Sequence, residues 1–310
     1  MKKPNDSTLT SEQYLRVQRE ARLTLEKADA FGRFPTPVTD VIGSANLIVA
    51  PEDAFGDSLL SRLRNKAGKT LKRALSKVLG LLDVKGRLVF IDHTIYAVKQ
   101  TFIKLHETGH AVMPWQRDIY AVVEECEKTL NPEIADLFDR EANVFASEVL
   151  FQLDSFSNEA ADHTFGLLTP VRLSKKYGAS IYSSIRRYVS TSGTACTVLV
   201  LNPPEVRNSK GFHASLRRVV NSPEFKRLFG YLSWPDYFTP DDNIGAMIPV
   251  GRRRMSGPRS LYLTDLNGQK HDCLAEAFTQ THQVFILIHS VRALSGTRIF
   301  LPSAGQVSVS

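Results

Sequence analysis

Residues 102–115 read FIKLHETGHAVMPW, and the five residues from His106 to His110 form the pattern His-Glu-x-x-His. In a helix, residues four positions apart lie on one face, so both imidazoles can bind the same metal ion. Zinc held by two such histidines and a third protein ligand keeps one coordination position for water. The carboxylate of Glu107 lies beside that position and can accept a proton from the water. The pattern therefore predicts a helix that carries a hydrolytic metal site.

The alternative explanation of this pattern is a pair of surface histidines beside an unrelated glutamate. Given the histidine and glutamate content, such a match arises by chance roughly 0.01 times per chain. The context also favours a metal site, because the apolar run at 88–91 predicts a strand over residues 87–92 directly before the helix. Pro114 predicts the end of that helix, which we expect to extend from about His93 or Thr94 to Met113.

A second helix must supply the third metal ligand. The pair Asn131-Pro132 predicts a helix that starts there and extends to about residue 152. Its acidic candidates are Asp139, Glu141 and Glu148. At about 100° per residue, Asp139 lies about 60° from the centre of the apolar face, whereas the two glutamates lie about 100° and 120° away. Asp139 is closest to the buried face, but this difference does not decide among the three.

Composition and length predict a globular protein with more than one domain. The chain has 310 residues, of which 43% are hydrophobic and 23% are charged. No apolar run approaches the ~20 residues that span a bilayer, and no signal peptide is recognisable at the N-terminus. The three cysteines, Cys126, Cys196 and Cys273, are widely spaced, which suits a reducing compartment. We therefore expect a cytoplasmic protein without a membrane partner.

The charge of the chain does not identify a partner. Its formal net charge is +7, which favours acidic partners in general. Residues 58–82 place leucines and alanines at helical spacing among many lysines and arginines, which predicts a basic amphipathic helix. No aromatic residues are interleaved with these charges, so a solvated face is favoured over a surface for nucleic acid or membrane.

The strand, the stretch FIKLHETGHAV and the later stretch DREANVFASEVL (139–150) together resemble the ImmA/IrrE family of zinc metallo-endopeptidases. The resemblance covers about residues 10–190. It implies an α+β fold with a mostly helical, zincin-like peptidase core and a small sheet. Members of this family cleave or otherwise inactivate a helix-turn-helix repressor of the Xre type, and so derepress genes of a stress response or a mobile element. The cofactor that the resemblance implies is Zn²⁺, and the implied partner is such a repressor.

The resemblance also assigns roles to individual residues. His106 and His110 match the two zinc-binding histidines of the family, and Glu107 matches its general base. Asn143, one helical turn beyond Asp139, is expected to hold a zinc-binding histidine through the free ring nitrogen.

The third ligand departs from the usual residue of the family. In the family it is an acidic residue, usually glutamate, four positions before an Asn or Asp that is followed by x-Phe-Ala. The run from Asn143 to Ala146 fits the end of that pattern and places Asp139 at the ligand position, with Glu141 in reserve. Aspartate is one methylene shorter than glutamate, so the two helices must approach more closely or the metal must shift.

The resemblance divides the chain into a zincin-like metallopeptidase domain (1–170), a helix-turn-helix-like segment (171–190) and a C-terminal α+β domain (191–310). For the middle segment a structural or repressor-docking role is favoured over DNA recognition, in which Arg186 and Arg187 would take part. Tyr177 and Tyr182 in this segment are candidates for a donor to the oxyanion. In IrrE-type relatives the C-terminal domain has a GAF-like fold and is thought to sense a signal, an analogy that rests on topology alone.

Further elements follow from periodicity and turn residues. We predict helices over residues 10–31, capped by Thr10 or Ser11, and over 38–50, 117–130 and 212–230. We predict strands over residues 195–201, 261–266 and 284–288, with a turn at Asn267-Gly268.

Two functions compete with that of a zinc endopeptidase. A non-proteolytic anti-repressor would bind and sequester the repressor without cutting it. A DNA-binding regulator would use residues 171–189 and the basic helix, and its binding would be sensitive to salt. We rank the enzyme first, the anti-repressor second and the DNA-binding regulator third.

Overall fold

The structure is a computed structural model of the chain, and it describes residues 9–51, 80–83, 87–91, 95–119, 131–207, 211–251 and 254–291. These residues form an α+β fold. They divide into two compact units, of which the first ends at Tyr188 and the second begins at Val189. Most of the predicted basic helix (58–82), most of the predicted helix at 117–130 and Cys126 lie outside the described residues. Residues 80–82, the end of the predicted basic helix, belong to a strand.

The first unit combines helices with a small sheet. Its elements in chain order are α1 (Ser11–Lys27), α2 (Val38–Ser44), β1 (Ile48–Val49), β2 (Gly80–Asp83), β3 (Leu88–Ile91), α3 (Ala97–Val112), α4 (Pro132–Leu150), α5 (Ser155–Ala161), α6 (Leu168–Lys176) and α7 (Ile181–Ser190). Strand β3 lies between β1, with which it pairs in parallel, and β2, with which it pairs antiparallel. The strand predicted before the metal helix is therefore the central strand of this sheet.

The starts of two helices agree with the sequence prediction. Thr10 caps α1 through a reciprocal pair of bonds, since its hydroxyl accepts from the backbone N–H of Gln13 and the Gln13 side chain accepts from the Thr10 N–H. Asn131 caps α4 by accepting the backbone N–H of Glu133 at 2.8 Å, and Pro132 occupies the first turn. Both predicted N-termini are confirmed, while α1 ends at Lys27 rather than at residue 31.

Helix α3 is supported from two sides. Buried residues of α2, β3 and the C-terminal turn of α3 form one apolar cluster, to which Ile42, Val89 and Ala111 belong. On another side α3 packs against α4, where Gly109 of α3 lies against Phe145 of α4. The sheet and α4 together therefore fix the position of the helix that carries the His-Glu-x-x-His pattern.

A buried ion pair connects α4 to α7, and Tyr14 of α1 joins it. The Arg187 guanidinium, only 6% exposed, donates to both carboxylate oxygens of Glu148, which is 1% exposed. It also donates to the carbonyl of Leu153 at 2.6 Å, and the Tyr14 hydroxyl donates to Glu148 at 2.5 Å. This network contradicts the role of Arg187 in DNA recognition, because a buried guanidinium that is paired with Glu148 cannot reach a phosphate. Glu148 is likewise committed to this pair and is not a metal ligand.

The second unit contains an antiparallel sheet. Its elements are β4 (Cys196–Leu201), β5 (Glu205–Arg207), β6 (Gly211–Asn221), α8 (Pro223–Phe229), β7 (Tyr237–Phe238), a 3-10 turn (Gly245–Met247), β8 (Arg259–Thr264), β9 (Lys270–Gln280) and β10 (Gln283–Ser290). The strand order is β5-β6-β4-β10-β9-β8, and β7 pairs with β6. The predicted strands at 195–201 and 284–288 are confirmed, and the strand predicted at 261–266 is found at Arg259–Thr264. The turn at Gly268, whose φ is 82°, is also confirmed.

The helix predicted over residues 212–230 is wrong for most of its length. Residues 211–221 form β6, which pairs antiparallel with β4. The β-branched residues Val219 and Val220 lie opposite Leu199 and Val198 of β4, and such residues favour strands. A helix begins only at Pro223, where the Ser222 hydroxyl accepts the backbone N–H of Phe225.

The described residues bear in part on two predictions, that no segment spans a membrane and that the cysteines are free thiols. In the described part of the chain, no helix has both the length and the apolar character needed to cross a membrane. Cys196 and Cys273 are buried free thiols.

Candidate metal centre

Helices α3 and α4 bring the three predicted ligands together. The Nε2 atoms of His106 and His110 lie 3.1 Å apart, and Nε2 of His110 lies 3.8 Å from Oδ1 of Asp139. One ligand atom from each residue can be chosen so that all three lie within 4.8 Å of one another. Two atoms that bind a tetrahedral zinc ion at about 2.1 Å lie about 3.4 Å apart. This group could therefore hold a metal ion after only small side-chain movements.

Both histidines are in the chemical state that a metal requires. Burial lowers the pKa of His106 to about 3, with a further contribution from His110 nearby. Burial also lowers the pKa of His110 to about 4. Both imidazoles are therefore neutral at neutral pH and keep a lone pair for a metal.

Asp139 supplies the negative charge of the group from α4. Its side chain is 55% exposed, so water and substrate can reach this side of the centre. Partial burial, and then the charge of Asp136, raise the pKa of Asp139 to about 6. The carboxylate is still ionised at neutral pH, as a ligand must be.

Glu107 lies at the buried side of the centre. Only 9% of it is exposed, and burial together with the charge of Asp139 raises the pKa of its carboxyl to about 8. A cation at the centre would favour the ionised form of this carboxyl, which can then take up a proton. The position and the chemistry of Glu107 both suit a group that exchanges a proton with water.

A glycine permits the close approach that an aspartate ligand needs. A Cβ atom added at Gly109 would lie 2.9 Å from Cδ1 and 3.3 Å from Cβ of Phe145, closer than side chains normally pack. Helices α3 and α4 therefore come nearer at this point than any larger residue would allow. The short side chain of Asp139 approaches His110 from the same helix that carries Phe145.

The reserve ligand Glu141 has a different place. It is fully buried, and its carboxylate accepts three hydrogen bonds of 2.7 Å, from Arg16, Trp115 and Gln116. It is not in the group of converging ligand atoms. The structure therefore places the carboxylate of Glu141 apart from the converging ligand atoms, which favours Asp139 over Glu141 as the third ligand.

Asn143 lies close to His106, one of the two histidines of the centre. It does not make a close hydrogen bond to Nδ1 of that residue. Its side chain acts on His106 and opposes the lowering of the pKa of that imidazole. Nδ1 of His106 nevertheless has no partner with ordinary hydrogen-bond geometry among the described residues. That Asn143 holds a zinc-binding histidine stays a prediction.

The residues that orient His110 were missed in the sequence. Oε1 of Gln116 lies 2.6 Å from Nδ1 of His110, and the amide nitrogen of Gln116 donates to Glu141. Gln116 lies beyond Pro114, where helical spacing no longer applies, so no periodic signal could have placed it beside His110.

The two tyrosines considered for the oxyanion are not in the ligand group. The Tyr177 hydroxyl donates to Glu159 at 2.9 Å, and the residue is fully buried. The ring of Tyr182 lies under the guanidinium of Arg186 at 5.7 Å. The prediction that Tyr177 serves the oxyanion is not supported by this geometry.

Comparisons with known proteins do not assign the chain to a family. No family model matches the sequence, and no curated protein matches it. Among solved structures, the chain is similar to a Mycobacterium tuberculosis transcriptional regulator with a TM-score of 0.48 and 10% identity. The match covers 88% of this chain and 75% of that chain. A likeness of this size carries no argument about function, so the function must be argued from the site itself.

Proposed function

We propose that the chain is a zinc-dependent endopeptidase of the type that the ImmA/IrrE resemblance implies, and that its substrate is an Xre-type helix-turn-helix repressor. The observation that carries this proposal is the convergence of His106, His110 and Asp139, with Glu107 buried beside them. Helices α3 and α4 thus bring together the three ligands that the resemblance implies, and Glu107 is close enough for the charge of Asp139 to act on its carboxyl. Cleavage of the repressor would switch on the genes that it silences.

The donor set suits zinc. Two imidazole nitrogens and one carboxylate oxygen are typical of catalytic zinc, where three protein ligands leave a position for water or substrate. The exposed side of Asp139 gives access to that position. Magnesium and calcium prefer oxygen ligands, so the two histidines argue against either of them.

Zinc and Glu107 would have different roles in hydrolysis. Zinc bound at the centre would lower the pKa of water and polarise the scissile carbonyl. Glu107 accepts the proton of the attacking water and then delivers it to the leaving amine.

Cleavage of a repressor with and without metal tests the proposal. The probe is a purified Xre-type repressor encoded next to this chain, incubated with zinc-loaded chain and analysed by mass spectrometry. We expect two defined fragments, no fragments after treatment with a zinc chelator, and recovery when one equivalent of zinc is restored. The anti-repressor alternative predicts a stable complex of intact proteins instead. Intact repressor under all three conditions would contradict the enzyme.

The DNA-binding alternative loses one of its two arginines, because Arg187 is buried in the pair with Glu148. No observation in the described residues favours the DNA-binding alternative.

A further inference from the structure

Glu141 is a buried carboxylate, and each of its two oxygens accepts hydrogen bonds from a different set of donors. Oε1 accepts from Arg16 of α1, and Oε2 accepts from both Trp115 and Gln116, each at 2.7 Å. A buried charge is costly unless it is paired and hydrogen-bonded, and these three donors meet that requirement. The guanidinium of Arg16 also lies 3.8 Å above the Trp115 ring, so two of the donors hold each other in place. Glu141 is therefore a fixed acceptor on the inner side of α4.

This fixed acceptor determines how the Gln116 amide is oriented. The amide nitrogen faces Oε2 of Glu141 at 2.7 Å and the carbonyl oxygen of Phe138 at 3.3 Å. Both of these groups accept hydrogen bonds and cannot donate them. Turning the amide over would place its oxygen against two acceptors, so only one orientation is compatible with the surroundings.

The orientation of Gln116 in turn determines the tautomer of His110. Oε1 of Gln116 lies 2.6 Å from Nδ1 of His110, and an amide oxygen can only accept. Nδ1 must therefore carry the hydrogen in the neutral ring, which leaves the lone pair on Nε2. That atom faces His106 and Asp139 in the ligand group.

We propose that Glu141 and Gln116 are positioning residues, which hold the metal ligand His110 in its Nδ1–H tautomer and aim its Nε2 at the metal position. This inference rests on the proposed metal site and adds to it a defined second layer, contributed by α4 and by the helical residues 114–119 that follow α3. Hydrogen bonds of this kind orient histidine ligands and raise their basicity. His106 differs from His110, since its Nδ1 has no close partner among the described residues.

The first test is zinc affinity in the variant Gln116→Met, which keeps the size of the side chain and removes both amide groups. We expect the dissociation constant for zinc, measured by competition with a chelator of known affinity, to rise 10-fold to 100-fold. The control is Gln100→Met, the same change in the first turns of α3, where the Gln100 amide donates to the carbonyl of Ile95. That control should bind zinc within about twofold of the wild type, because it lies six residues, or roughly 9 Å along the helix, before His106.

The second test needs no metal and compares the wild type with Gln116→Met. Long-range ¹H–¹⁵N spectra of the metal-free wild type report which ring nitrogen of His110 carries the hydrogen. We expect the Nδ1–H form in the wild type and its loss in Gln116→Met. The Nε2–H form in the wild type, or unchanged zinc affinity in a folded Gln116→Met, would overturn the positioning role. Failure of repressor cleavage alone would count against the peptidase and leave the positioning role standing, so the two proposals fail separately.

Discussion

Glu107→Gln is expected to reduce repressor cleavage by about 10²-fold to 10⁴-fold while the zinc content of the protein stays the same. The side chain keeps its size and its buried position, so the fold and the three ligands are preserved. What is lost is the ability to accept a proton from water and to return it to the leaving amine. The measurement is kcat/KM for the repressor, together with elemental analysis of zinc in the same preparations.

The matched control for this variant is Glu133→Gln, the same change at an exposed position in the first turn of α4. It should leave both cleavage and zinc content unchanged. Cleavage by Glu107→Gln within threefold of the wild type would remove Glu107 from the mechanism. The anti-repressor alternative predicts that Glu107→Gln still derepresses the target genes, so a reporter gene provides a second and independent readout.

Arg187→Met is expected to lower the free energy of unfolding of the first unit by about 3–5 kcal/mol. The substitution leaves the carboxylate of Glu148 buried without its charged partner, and the Tyr14 hydroxyl alone cannot replace two guanidinium bonds. It also leaves the carbonyl of Leu153 without the donor that Arg187 supplies. The effect belongs to stability, because none of these groups is in the metal centre.

This loss can be measured in the first unit by itself. The chain has two tryptophans, and in a Trp234→Phe background the fluorescence of Trp115 reports urea unfolding of the unit that contains it. A chelator in every sample removes the stabilisation that bound zinc would add. The double variant Glu148→Gln/Arg187→Met should recover at least half of the loss, since the buried charge is gone and the new amide oxygen can still accept from Tyr14.

The control for Arg187→Met is Arg186→Met at the neighbouring position. Arg186 is only partly buried and lies over the Tyr182 ring, so its removal should cost less than about 1 kcal/mol. A loss below 1 kcal/mol for Arg187→Met itself would contradict the buried ion pair. The comparison also bears on DNA binding, because a recognition helix would need both arginines at its surface.

The candidate metal centre could be predicted from the sequence to the extent that it depends on local spacing. His106 and His110 share a face of α3 because they are four residues apart, and this holds for any helix. The choice between Asp139 and Glu141 could not be made from periodicity, since their angles to the apolar face differ by only about 40°. It is decided by tertiary contacts, because Arg16, Trp115 and Gln116 occupy the carboxylate of Glu141.

Other features of the fold depended on partners far away in the sequence. In the sequence, Arg186 and Arg187 are adjacent basic residues that cannot be told apart. Arg187 is the one that becomes buried, because Glu148 of α4 approaches it and forms an ion pair. The apolar residues of 211–221 fit two patterns: Phe212, Leu216 and Val219 have helical spacing, and the run from Phe212 to Leu216 alternates as in a strand. Pairing with β4 selects the strand, and strand propensity is known to depend on such neighbours.

The most direct test of the metal centre is the position of zinc in crystals of the zinc-loaded chain, located by anomalous diffraction at the zinc edge. We expect one strong peak about 2.0–2.2 Å from Nε2 of His106, Nε2 of His110 and a carboxylate oxygen of Asp139. Glu141 should stay bonded to Gln116 and away from the metal. A peak at any other group of side chains, or no peak at these three residues in the presence of excess zinc, would contradict the account.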